Sequence, residues 1–265
     1  MHPELLMLAQ PPVKFHFWVF PALFATGLVA GFVDSIAGGG GLITLPVVLS
    51  LGVPPQLALG INKLQATFGS GSAAWHYRRS GIVRLRDCWV GIYATILGAI
   101  AGTLVVQHLD PSFLKRIIPF ALLAVVAYMI FRPQIGEKDI HPNIRPFPFF
   151  VLAGILLGFY DGFLGPGTGS FWTMALMLGP GFNLTKATGY TKVMNFASNL
   201  TSLTCFILVG QVEYTAGLTM GFGQLIGAKI GSGLVVSKGT KFIRPVFITM
   251  VLAVIIKLLY SAYFS

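Results

Sequence analysis

A chain of 265 residues with 55% hydrophobic and 10% charged residues, and a mean hydropathy of +0.79, is too apolar for a soluble enzyme, a disordered chain or a coiled coil. An ordinary soluble domain carries about 25% charged residues. The net charge of +10 does not point to nucleic acid, because the cations sit mostly in short loops between apolar runs, as cytoplasmic loops of membrane proteins do.

The 32 glycines and 22 phenylalanines suit packed membrane helices. At about 20 residues per span, the length leaves room for about eight to ten transmembrane segments and none for a separate soluble domain. In chain order, the first apolar stretch is 15–33. It runs into a glycine cluster without a cleavage context, so it reads as a span rather than a signal peptide. Apolar segments follow at 40–51, 57–77, 88–107 and 113–131, then at 146–163, 168–179, 186–209, 214–236 and 243–262. Segments 40–51 and 168–179 are too short to cross at full length and read as half-helices or re-entrant segments. The loop 78–86, with Arg78, Arg79, Arg84 and Arg86, is the one strongly basic loop and is assigned to the cytoplasm. The polar, proline-containing stretch 132–146 reads as a linker between a first transmembrane repeat, 1–131, and a second, 147–265.

The two halves resemble each other. GFVDSIAGGGGLITLP from Gly31 aligns with GFYDGFLGPGTGSFWT from Gly158, so Asp34 corresponds to Asp161. ALGINKLQATFGS aligns with ATGYTKVMNFASN, so Lys63 corresponds to Lys192, and GAIAG at 98–102 aligns with GAKIG at 227–231. A two-residue insertion near Gly179–Asn183 reconciles the offsets. The basic loop 78–86 corresponds to 207–215, which holds no cation and one acid, Glu213. A loop basic in one half and bare in the other is what opposite membrane orientation gives. The expectation is therefore an inverted repeat, a transporter architecture.

Of the eight acids, only Asp34 and Asp161 sit inside apolar sequence, and they are repeat mates. Lys63 and Lys192 are likewise deep and likewise mates. An ionisable group at bilayer depth costs several kcal/mol unless it is paired or wet. Gly38–Gly41 and Gly165–Gly169 interrupt the helices beside them. Glycine lets the backbone turn sharply, and a helix that restarts presents a positive N-terminus. Gly39, Gly40 and Gly167 are candidate backbone donors to an anion. Lys63 and Lys192 would supply charge, and Asn62, Gln65, Asn195 and Asn199 would orient oxygens. Lys192, Asn195 and Asn199 share one helical face.

Other readings stay open. Asp34 and Asp161 either cap the breaks and pair with the lysines or carry coupling protons. The glycines also suit close helix packing, and the lysines could snorkel. Lys257 reads as a snorkeller, and Lys229, whose mate is Ile100, is ambiguous. GPGTG at 165–169 lacks the Lys-Ser/Thr of a phosphate loop. The five histidines show no metal spacing, and Cys88 and Cys205 read as packing residues. No metal, no cofactor and no catalytic set is expected.

The segments GFVDSIAGGGGLITLP, ALGINKLQA and GFYDGFLGPGTGSF resemble the TauE/SafE sulfite exporter family, and within it the YfcA-like branch. The resemblance runs from about residue 20 to the end. It implies an integral plasma-membrane protein with a tandem repeat that transports anions, with members linked to sulfite, sulfoacetate and other sulfur-containing organic anions.

The sequence thus reads as an all-α polytopic membrane protein, not an enzyme, built from two inverted repeats. Its expected partners are the lipid bilayer and a small anion, with protons one candidate for a coupling ion, and both the coupling ion and the oligomeric state stay open. The expected function is secondary transport of sulfite or an organosulfonate across the plasma (inner) membrane by alternating access. The alternatives are a passive anion channel and, with no catalytic set behind it, a lipid-modifying membrane enzyme.

Overall fold

The computed structural model describes residues 15–114, 116–118, 120, 124 and 145–239. The expected segment 243–262, most of 113–131 and most of the linker 132–146 lie outside the described residues. The fold is all-α. Its elements are α1 (Val19–Ala37), α2 (Gly40–Ser50), α3 (Pro55–Arg79), α4 (Trp89–Gln107), α5 (Pro146–Phe163), α6 (Thr168–Leu178), α7 (Leu184–Leu208) and α8 (Tyr214–Lys238). A 3₁₀ turn, Leu85–Asp87, precedes α4. In both α1–α4 and α5–α8 a long helix is followed by an 11-residue one and then by two long ones.

Local chemistry fixes the ends. Pro55 opens α3 and Pro146 opens α5, positions where a missing N–H costs nothing. Asn183 caps α7 by accepting from the Lys186 N–H at 2.9 Å. Glu213 caps α8 by accepting from the N–H groups of Thr215 (3.1 Å) and Ala216 (2.7 Å). The expected loop acid Glu213 is therefore a capping residue. The breaks need glycine: Gly38 and Gly39 sit at φ +76° and +98°, Gly165 and Gly167 at +94° and +82°. Side chains rarely adopt such angles.

The half-helices α2 and α6 have 11 residues each, roughly 16 Å of rise, about half of a bilayer's hydrocarbon core. Helices α1, α4 and α5 are long and apolar enough to cross a membrane by length and composition. Leu97, Leu152, Leu156, Phe222 and Ile230 point outward, a surface that lipid rather than water accommodates. Exposed Trp18, Trp89 and Tyr214 stand at or beside helix starts, where interfacial aromatics belong.

The halves are interleaved. Helix α4 packs along α5, and α8 along α1. Both contacts are glycine seams. A Cβ on Gly154, Gly158 or Gly162 would fall 2.2–3.1 Å from α4 atoms, and one on Gly98 or Gly102 would strike the α5 backbone. Gly27 and Gly31 lie equally tightly on α8, and Gly223, Gly227 and Gly231 on α1. Small residues four apart let the backbones touch. At the centre α3 and α7 are antiparallel: Gly60 near the start of α3 abuts Gln211, just past the end of α7, while Gly189 abuts Tyr77 and Val83 at the end of α3. Helix α8 runs parallel to α3, with Leu64, Phe68 and Ser72 meeting Gly217, Gly221 and Leu225 in turn.

Candidate functional site

The two breaks meet each other. A Cβ on Gly38 would lie 2.7 Å from the Gly169 carbonyl carbon, one on Gly41 would lie 3.2 Å from Pro166, and Ser170 Oγ donates to the Ala37 carbonyl at 3.1 Å. Around this crossing lie the two buried ion pairs of the described residues, and each joins the two halves. Lys63 Nζ is 2.7 Å from Asp161 Oδ1 and also donates to the Asp161 carbonyl. Lys192 Nζ is 2.9 Å from Asp34 Oδ2. Asp34 is also a cap: its Oδ1 accepts from the Gly40 N–H at 3.1 Å, closing the first turn of α2. The second oxygen of Asp161 instead accepts from Ser198 Oγ.

The ion pairs border a cavity of about 30 Å3, room for roughly one or two water molecules. Of the sequence candidates, Asp34, Gly39, Gly40, Asn62, Asp161, Gly167, Asn195 and Asn199 line it. Lys63 and Lys192 are 0% exposed and lie behind the aspartates that hold them. Gln65 lies behind as well. Its Nε2 donates to Asn62 Oδ1 at 2.9 Å, and its Oε1 accepts from Gln224 Nε2 at 2.9 Å. Thr44 Oγ1 donates to the same Asn62 oxygen at 2.8 Å. One polar chain thus runs from α2 through α3 to α8.

Two features were missed by sequence reasoning. Gln224 lines the cavity; its signal was a lone amide in the apolar, glycine-rich segment 214–236. The paired glycine seams were legible as small residues four apart in both halves.

Chemically, two lysines and two aspartates sum to zero charge. What remains is the positive N-terminal ends of α2 and α6, where Asp34, Gly39, Gly165 and Gly167 already accept from the Gly40, Leu42, Thr168 and Ser170 N–H groups, and the cavity amides. The buried Asn195 Oδ1 and Gln224 Oε1 have no hydrogen-bond partner among the described residues. For Asn195, a half-turn of the amide would present NH₂ in place of oxygen. The cavity is thus lined by amide groups with unused hydrogen-bonding capacity.

Apolar outward faces, matched broken helices and a small polar cavity between them define a membrane protein of the transporter class. The family model described as sulfite exporter TauE/SafE matches residues 23–258, and the chain belongs to that family. It is 44% identical over 239 residues to a "Probable membrane transporter protein" of Haemophilus influenzae, covering 90% of this chain and 94% of that one. It is 42% identical over 241 residues to "Probable membrane transporter protein YfcA" of Escherichia coli, covering 91% and 90%. "Probable membrane transporter protein YunE" of Bacillus subtilis is 24% identical over 93% of this chain and 99% of that one. No solved structure matches.

Proposed function

We propose that this protein is a multi-pass secondary transporter in the plasma (inner) membrane, moving a small anion by alternating access, with sulfite or an organosulfonate such as sulfoacetate as the cargo. The observation that carries the reading is the crossing of two helix breaks around a small polar cavity, with an ion pair from each half to the other. The antiparallel α3 and α7 and the alternation of basic and bare loops support an inverted repeat with opposite membrane orientation.

In this reading the cavity is the site in a contracted state. A sulfonate with its substituent exceeds 30 Å3, so loading requires the halves to part. The cargo then meets Asn62, Asn195, Asn199 and the N-terminal ends of α2 and α6, while Lys63 and Lys192 offset the charge of the aspartates that line the cavity. Asp34, whose side chain is 18% exposed against 4% for Asp161, is the better placed to take a coupling proton.

The test is flux of sulfite, sulfoacetate, sulfate and chloride into proteoliposomes, with and without a pH gradient. Saturable flux of a sulfur oxyanion with counterflow is the expected result. Flux that stays linear to high concentration would make the protein a channel. Absence of flux for all four would remove the cargo assignment.

A further inference from the structure

A second, larger cavity of about 590 Å3 opens beside the first, between α3, α7 and α8. Its aromatic wall is Phe68, Trp75 and Phe196, and its basic wall is His76, Arg79 and Lys229, with no carboxylate in the lining. It extends along α3 from Thr67 to Arg79, from the turn after Lys63 to the edge of the arginine loop.

On each of three helices, residues adjacent in sequence line the two cavities. Ala66 lines the central cavity and Thr67 the larger one. Asn195 lines the central cavity and Phe196 the larger one. Gln224 lines the central cavity and Leu225 the larger one. Two contacts close the partition between the cavities. The Gln65–Gln224 hydrogen bond ties α3 to α8. The Phe196 ring lies so close over Gly71 that a Cβ there would sit 2.9 Å from Cε2.

We infer that the larger cavity is the vestibule through which an anion reaches the central site from the arginine-loop side. His76, Arg79 and Lys229 concentrate the anion there, and the Gln65–Gln224 bond and the Phe196 ring are the gate. This deepens the transport reading and rests on it. Cations in a low-dielectric groove raise the local concentration of anions. Uncharged amide and ring contacts form a gate that parts without exposing a buried charge. Lys229, ambiguous in the sequence, thereby acquires a role its mate Ile100 cannot share.

The test needs no cargo. Ser72→Cys places a thiol in the vestibule and Ala66→Cys one behind the gate, and each is labelled with size-matched anionic (sulfonatoethyl) and cationic (trimethylammonioethyl) methanethiosulfonates, with the unsubstituted chain as the background for Cys88 and Cys205. At low salt, Ser72→Cys is expected to react faster with the anionic reagent than with the cationic one by about tenfold. Adding Arg79→Gln and Lys229→Gln should abolish the preference. Ala66→Cys should react slowly, and faster once Phe196→Ala or Gln224→Leu is added.

Equal or cation-preferring labelling of Ser72→Cys, or none, would overturn the vestibule. Labelling seen in detergent but blocked in liposomes of anionic lipid would overturn it too, by assigning the cationic wall to lipid phosphate. Ala66→Cys labelling that ignores the gate variants would overturn the gate. Because no flux is measured, a failed transport assay leaves these outcomes readable, and an intact transport assay does not rescue a failed vestibule. Where flux is found, Lys229→Gln should raise KM from the arginine-loop side with little change in kcat.

Discussion

The two ion pairs are made by repeat mates, yet they sit in different surroundings. Lys63–Asp161 is sealed, with side chains 1% and 4% exposed, and Asp161 is further held by Ser198. In Lys192–Asp34 the lysine is equally buried but Asp34 is 18% exposed, and its other oxygen serves the first turn of α2. The difference has a local origin. In the aligned segments Ser198 corresponds to Gly69, and the space that Gly69 leaves is taken by Gln224, whose Oε1 would lie 2.0 Å from a Cβ there. Both aspartates line the cavity, but one half fastens its aspartate and the other leaves it more exposed. A duplicated element can be divided in this way into a strut and a moving part.

The comparison can be broken most decisively at Lys63. Lys63→Ala strands a buried Asp161 and should cost about 3–5 kcal/mol, read as loss of folded, monodisperse protein in detergent on thermal challenge. Lys63→Met with Asp161→Leu should recover much of that loss, since removing both charges leaves none uncompensated. A double variant as unstable as the single one would show that the pair is not the source of the cost.

Lys192→Ala should cost less, about 1–3 kcal/mol, because Asp34 keeps the Gly40 N–H and partial exposure. Equal losses at the two lysines would erase the distinction drawn between them. A third measurement sharpens it from the other side. The glycine seams are alike in the two halves, a Cβ on Gly31 or Gly158 falling 2.4 Å from a carbonyl oxygen of the facing helix. Gly31→Ala and Gly158→Ala should therefore destabilise by similar amounts, about 1–3 kcal/mol each, in the same thermal assay. Unequal losses would move the asymmetry from the ion pairs to the helix seams.

The smallest effect concerns Cys88, in the loop before α4. Burial, and then the neighbouring Asp87 carboxylate, push its thiol up to about 12. The thiolate is the reactive form, so at pH 8 Cys88 should alkylate far more slowly than an unhindered thiol, a difference that mass spectrometry of iodoacetamide-treated protein would register.

Much of this was legible in the chain. The positions of the breaks followed from glycines in two aligned clusters, and the depth of Asp34, Asp161, Lys63 and Lys192 from the absence of other charges around them. The placement of the repeat offset was less clear. The insertion expected near Gly179–Asn183 is partly in the break itself, which runs through 38–39 in the first half and 164–167 in the second. Sequence alignment across glycine runs cannot fix a register that only the helix starts define. The lysines were expected to face the guest directly. They lie one layer back, because a buried ammonium satisfies itself first with the nearest carboxylate.

What the sequence determined by itself is what local chemistry decides. Apolar runs of sufficient length become helices, glycines at positive φ become breaks, Pro55, Asn183 and Glu213 become starts, and unaccompanied charges mark the centre. What only the tertiary structure decided is which groups meet. Asp34 pairs with Lys192, 158 residues away, and Asp161 with Lys63, 98 residues away, not with the lysine of its own half. That choice is set by two antiparallel helices and two glycine seams bringing the halves through each other. Contact across such distances in the chain is a property of packing, which no local periodicity encodes.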